Sequence, residues 1–120
     1  MKKFILICED DEGIADLCKY ILEPENYDVV TLNNCNLVLE KIRERKPDVI
    51  LLDLWMPGMD GESILQILKT TEHTKDIPVI IMSANNDIRT ISERAGANDY
   101  LMKPFDIHTL KQKVKQFIGE

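Results

Sequence analysis

Hydrophobic residues along this chain follow two alternating spacings. Short apolar runs rich in β-branched residues occupy Phe4 to Cys8, Val29 to Leu32, Val49 to Leu52, Val79 to Met82 and Tyr100 to Met102, each bounded by polar or turn residues. Runs of that length and composition predict strands buried mostly on both faces. Between them the helical period takes over. Ile14, Leu17, Cys18, Ile21 and Leu22 fall at i, i+3, i+4, i+7 and i+8, and Cys35, Val38, Leu39 and Ile42 repeat the stripe. Ile64, Ile67 and Leu68 carry it in a third segment, Ile88, Ile91 and Ala95 in a fourth, and Ile107, Leu110, Val114, Phe117 and Ile118 in a fifth. Five strand–helix units account for the chain. Their short connections imply right-handed crossovers, so the prediction is an α/β, doubly wound, five-stranded parallel sheet with helices on both faces, of (βα)5 type. An eight-unit barrel needs about twice this length. No repeat, low-complexity tract or Gly/Ser/Pro-rich linker interrupts the pattern, so residues 1–120 read as one domain.

Composition narrows the function classes. The 120 residues carry 15 Lys and Arg against 21 Asp and Glu, a net charge of −6. That balance argues against a non-specific grip on nucleic acid or anionic membrane, both of which require cationic side chains. With 44% hydrophobic residues, the chain can bury a core, which excludes a disordered segment. The apolar run after Met1-Lys2-Lys3 stops at Cys8, far short of the roughly 20 residues of a membrane helix, and no small-residue cleavage site follows. A cytoplasmic location is therefore expected. Cys8, Cys18 and Cys35 form no Cys-x-x-Cys pair, which predicts reduced structural thiols and no zinc site.

In open parallel sheets the functional crevice lies beyond the carboxyl ends of the strands. Glu9, Asp10 and Asp11 follow the first strand, Asp53 the third, Ser83 the fourth, and Lys103-Pro104 the fifth. These acids, the hydroxyl and the lysine are expected to converge on one rim. Carboxylates within about 5 Å repel by roughly 3 kcal/mol per pair at an effective dielectric near 20, unless a cation or proton intervenes. An all-oxygen donor set without His or Cys suits Mg²⁺, with Mn²⁺ as the alternative. The acidic run also reads as a solvated loop that caps the first helix. Asp53 ends a wholly hydrophobic strand, where an unneeded charge is costly, so it reads as a metal ligand, a nucleophile, or both. A carboxylate can accept a phosphoryl group as an acyl phosphate, and that transfer is stabilised by cations on the phosphoryl oxygens. Lys103 supplies one cation and a metal another, while Ser83 can donate a hydrogen bond.

These residues resemble the bacterial two-component response-regulator receiver domain. The resemblance rests on Ile5-Leu6-Ile7-Cys8-Glu9-Asp10-Asp11, on Pro47 through Gly61 with its Asp-x-x-Met-Pro-Gly-x-Asp-Gly motif from Asp53, on Pro78-Val79-Ile80-Ile81-Met82-Ser83-Ala84, and on Ala95 through Phe105 with its Tyr-x-x-Lys-Pro-Phe motif. Coverage is essentially end to end. The resemblance implies a flavodoxin-like sheet of strand order 2-1-3-4-5, as in the chemotaxis regulators. It makes Asp53 the phosphoacceptor for a histidine kinase or histidine phosphotransfer protein. Mg²⁺ would be held by Glu9, Asp10, Asp53 and the backbone carbonyl of Trp55. Lys103 would pair with the phosphoryl group, Ser83 would be the switch hydroxyl, and Tyr100 the aromatic switch. The Lys103-Pro104 bond would be cis.

Such a domain is a phosphorelay switch rather than an enzyme, catalysing only its own phosphorylation and slow dephosphorylation. Its output would be a changed surface on the fourth helix, fifth strand and fifth helix that controls an unidentified downstream protein. If the chain is the whole protein, the expectation is a stand-alone receiver, a monomer or weak homodimer, that does not itself bind nucleic acid; if it is part of a longer one, an output domain follows the fifth helix. Some features depart from the family pattern. The 20 positions from Ser83 to Lys103 imply a shortened fourth helix or preceding loop. Arg89, Asp99, Lys113 and Lys115 match part of the charge set through which DNA-binding relatives dimerise, but Asn98 and Thr109 stand where acids are common. Bulky Trp55 is expected to slow self-dephosphorylation, so that Trp55→Asn loses phosphate faster. His73 and His108 are isolated and read as solvated surface.

Three other readings compete with this one. A degenerate receiver acting as a phosphate-independent binding module is opposed by the intact Asp53, Lys103, Glu9 and Asp10. A haloacid-dehalogenase-type aspartyl phosphohydrolase needs Asp-x-Asp, and the second acid would fall where Trp55 stands. A flavin phosphate loop is opposed by Glu9-Asp10-Asp11, which would repel it.

Overall fold

The computed structural model describes residues 2–56 and 59–118, and within these the side chains of Cys35, Trp55, Met56 and Met59 are left aside. Five strands, β1 (Lys3–Cys8), β2 (Tyr27–Leu32), β3 (Val49–Asp53), β4 (Val79–Ser83) and β5 (Asp99–Met102), form one all-parallel sheet of order 2-1-3-4-5. The helices are α1 (Glu12–Leu22), α2 (Val38–Glu44), α3 (Gly61–Thr70), α4 (Ile88–Ala95) and α5 (Ile107–Ile118). Each predicted strand is present and extends by one or two residues beyond its apolar run at one end. The Cys35 segment enters α2 through a 3-10 turn, Cys35–Leu37. Between β3 and α3, Trp55–Met56 and Met59–Asp60 pair antiparallel as a short hairpin.

Two cores lie on opposite faces of the sheet. Cys18 and Leu22 of α1 pack with Leu110 and Val114 of α5 on one side, while α2, α3 and α4 cover the other through residues such as Ile42, Leu65 and Ile88. Residues of β1, β3 and β4 are shared alternately between these cores, which is why those strands read as continuous hydrophobic runs. Two helical stripes turn out differently from the sequence pattern. Leu17 is 46% and Ile67 42% exposed, while Ala15 and Leu65 are buried instead. The buried faces of α1 and α3 are centred on Cys18–Leu22 and Ile64–Leu68, which rotates Leu17 and Ile67 past the edge of the contact. Ile107, placed in the fifth stripe, is 54% exposed at the start of α5.

The cysteines also depart from expectation. Cys8 is disulfide-bonded, whereas three reduced thiols were expected; the side chain of Cys35 lies outside the described residues. A run of three cysteines without a spacing motif carries no information about which side chains the fold brings together. Cys18 is a free thiol and fully buried. Burial, reinforced by the Glu9 charge and opposed by Lys103, pushes its pKa up to about 12. Since only the thiolate is nucleophilic, Cys18 is expected to resist iodoacetamide at pH 8 in the folded protein and to react once urea unfolds it, as peptide mapping would read. Among the described residues, no helix is long and apolar enough to cross a membrane.

Candidate functional site

Sheet register brings the polar residues together. Cys8 lies beside Leu52 in the β1–β3 pair, so the next residue, Glu9, emerges next to Asp53. Ser83 pairs with Met102, so Lys103 leaves β5 alongside the end of β4. Its backbone N–H donates to the Ser83 carbonyl at 2.8 Å, and the Lys103–Pro104 bond is cis, as the resemblance implies. The chain beyond Asp53 is held by Leu54 N–H donating to Met82 O at 3.0 Å. A cleft of about 560 Å³ opens here, lined by Glu9, Asp10, Asp53, Ser83, Asn85 and Lys103 among others.

Ligand oxygens of Glu9, Asp10 and Asp53 all lie within 4.8 Å of one another. Glu9 and Asp53 are buried, with Asp10 the more accessible of the three. Three carboxylates at this separation repel strongly, and Lys103 relieves part of that. Its Nζ donates to Glu9 Oε1 at 2.6 Å and lies 3.5 Å from Asp53 Oδ1. Burial by itself would lower the Lys103 pKa. The hydrogen bond to Glu9 and the charges of Asp53 and Glu9 outweigh it, so the pKa is raised and the ammonium stays charged. One lysine cannot neutralise three carboxylates. The donor set is all oxygen, without His or Cys, and fits a hard divalent cation such as Mg²⁺.

The other predicted residues divide. Ser83 is buried, and its Oγ accepts from Asn85 N–H at 3.0 Å, which fixes the hydroxyl oxygen and leaves its proton to donate. Asp11 also lines the cleft, but its carboxylate caps α1: its Oδ1 accepts from Ile14 N–H at 3.1 Å. The cap reading of the acidic run holds for Asp11, while Glu9 and Asp10 join Asp53 in a carboxylate cluster with the spacing to hold a metal ion. Tyr100 is not in the cleft. It is half-buried on edge strand β5, packed against the core on the α4 side. The backbone of Trp55 lies in the hairpin immediately after Asp53 and Leu54. Its side chain, and with it the expected effect on dephosphorylation, lies outside the described residues, as do Pro57 and Gly58 of the motif.

Sequence reasoning missed two features. Glu9, rather than Asp53, is the closer partner of Lys103, a preference that follows from side-chain reach and is invisible in spacing. Gly61 matters for a steric reason: a Cβ there would sit 2.7 Å from Leu54 Cα and 2.9 Å from Asp53 O. Those contacts are backbone and cannot swing away. Gly61→Ala is therefore expected to cost about 1–3 kcal/mol in urea unfolding by overpacking, and to shift the backbone that carries Asp53.

Comparison with known proteins agrees with this geometry. Residues 5–115 match the family model described as the response regulator receiver domain. The transcriptional regulatory protein KdpE of Staphylococcus aureus is 40% identical over 117 residues, covering 96% of this chain and 49% of the relative. The chain thus spans about half the length of the curated relatives it matches. A response regulator from Chloroflexus aurantiacus superimposes with a TM-score of 0.92 at 30% identity, covering 100% of both chains. The receiver domain of sensor histidine kinase PA1611 from Pseudomonas aeruginosa, with a magnesium ion coordinated in its active-site cleft, does so at 0.88 and 28% identity, again over 100% of both.

Proposed function

We propose a phosphoryl-accepting switch as the role of this chain, which belongs to the response regulator receiver domain family. The observation that carries the reading is a buried Asp53 carboxylate within reach of two further acids and a charged lysine at the floor of an open cleft. In this role a histidine kinase or histidine phosphotransfer protein donates the phosphoryl group. Asp53 Oδ attacks phosphorus, the bond from phosphorus to the donor atom breaks, and an acyl phosphate remains on Asp53. Glu9, Asp10, Asp53 and the Trp55 carbonyl hold Mg²⁺, with Mn²⁺ as the alternative. When bound, the ion supplies positive charge for the phosphoryl oxygens. The PA1611 receiver, with magnesium in its own cleft, supports that assignment.

Lys103 provides the second cation. It leaves Glu9 for a phosphoryl oxygen, a short move given that it already lies 3.5 Å from Asp53. Ser83 donates its hydroxyl proton to another phosphoryl oxygen, and Tyr100 follows the displaced Ser83 loop inward. The result is a changed surface over α4, β5 and α5 that controls a downstream protein. Chemistry at this site is confined to the domain's own phosphorylation and slow dephosphorylation.

The test is intact mass after incubation with acetyl phosphate, with Mg²⁺ or with EDTA. A Mg²⁺-dependent gain of one labile phosphoryl group is expected. The absence of any gain, both from acetyl phosphate and from a panel of phosphorylated histidine kinases, would refute the reading.

A further inference from the structure

Lys113 stands outside the cleft, yet it touches the proposed switch residue. It leaves α5 on one side of the sheet, where its neighbours Leu110 and Val114 enter the core. Because β5 is the last strand of the sheet, the lysine can reach round its edge to Tyr100, whose ring packs on the opposite side. Lys113 Nζ lies 5.2 Å from the centroid of the Tyr100 ring and donates to Asp99 Oδ1 at 2.8 Å. The same Asp99 oxygen accepts the Tyr100 N–H at 2.8 Å. One carboxylate oxygen thus ties down both the ammonium and the backbone of the tyrosine.

An isolated surface ion pair would count for little. Here both side chains are about a quarter exposed or less, and the ammonium is shared with an aromatic face, which adds an attraction that depends on where the ring sits. If the ring rotates away, that attraction is lost while the ion pair survives. Ring position and Lys113 are therefore coupled.

We propose that Lys113 is a positioning residue that holds Tyr100 in its observed orientation, and so weights this chain's two-state equilibrium against the phosphorylated arrangement. The inference rests on the switch reading given above for Tyr100. By this account Lys113 acts as a latch on accepting a phosphoryl group, although it touches no reacting atom.

The test uses Lys113→Met, which keeps the stem and removes the charge, and Lys113→Arg, which keeps the charge, each with Tyr100 intact and with Tyr100→Leu. Tyrosine ring signals are followed by NMR in the unphosphorylated protein, where Tyr100→Leu assigns the Tyr100 signal among three tyrosines. Initial rates of phosphoryl uptake from acetyl phosphate with Mg²⁺ are followed by intact mass. Lys113→Met is expected to move the Tyr100 ring signals and to raise the uptake rate roughly two- to five-fold. Lys113→Arg should stay near wild type in both readouts, and Lys113→Met should add nothing to the rate in the Tyr100→Leu background. Unmoved ring signals would overturn the proposal, as would an equal rate gain without the tyrosine, which would reduce Lys113 to a surface charge. Ring signals that move in a protein that takes up no phosphoryl group would instead overturn the switch reading and leave only the contact.

Discussion

Asp53→Asn is expected to take up no phosphoryl group from acetyl phosphate under conditions that phosphorylate the wild type completely, and to gain stability at the same time. Both effects come from the same oxygen atoms. The amide is a far weaker nucleophile than the carboxylate, and no other acid of the cleft occupies the end of β3. The charge removed is one of three packed within 4.8 Å, each pair repelling by roughly 3 kcal/mol at an effective dielectric near 20, with Lys103 offsetting part. In EDTA the variant should therefore melt several degrees above wild type. Adding Mg²⁺ should raise the wild-type melting temperature more than the variant's, since the variant has lost a ligand. A variant that melts below wild type in EDTA would show that Asp53 is held by favourable partners and is not electrostatically crowded.

Removing Lys103 should have the opposite sign on stability. Glu9 has a fully buried side chain, and its closest cation is Lys103 Nζ at 2.6 Å. Lys103→Met strands that carboxylate, a loss expected to cost about 3–5 kcal/mol in metal-free buffer. The same substitution removes a cation from the phosphoryl oxygens, so phosphorylation by acetyl phosphate should slow on the order of 10²-fold even with saturating Mg²⁺. Urea unfolding in EDTA and uptake followed by intact mass measure the two effects separately. Lys103→Arg is expected to restore stability in part and rate poorly, because a planar guanidinium does not fill the place of a compact ammonium. A Lys103→Met protein that phosphorylates at the wild-type rate would remove the lysine from the mechanism.

Much of this was legible in the chain itself. Short continuous apolar runs and period-3.6 hydrophobicity located five strands and five helices, because strands buried on both faces are apolar throughout while helices are apolar on one face. The rule that function sits at the carboxyl ends of parallel strands then picked out Glu9, Asp10, Asp53, Ser83 and Lys103 without any coordinates. What spacing could not reach was anything decided by the rotation of an element or the reach of a side chain. Leu17 and Ile67 fit their helical stripes and still face solvent, since the packing partner, not the stripe, sets which edge is covered. Asp11 sits beside two site acids in sequence but turns to the α1 N-terminus. Gly61 was visible only as part of a motif until the fold brought it against the backbone of Asp53 and Leu54.

The sequence by itself determined the five strand–helix units and the chemical inventory of the cleft, because both follow from local periodicity and from which residue types end each strand. Only the tertiary structure decided the pairings: Lys103 with Glu9 rather than Asp53, Cys8 as a disulfide-bonded residue, and Lys113 against Tyr100 and Asp99 around the sheet edge. In these contacts Lys103 and Glu9 are 94 positions apart, and Lys113 and Asp99 are 14 apart. Their energies depend on distances of a few ångströms that no linear pattern encodes.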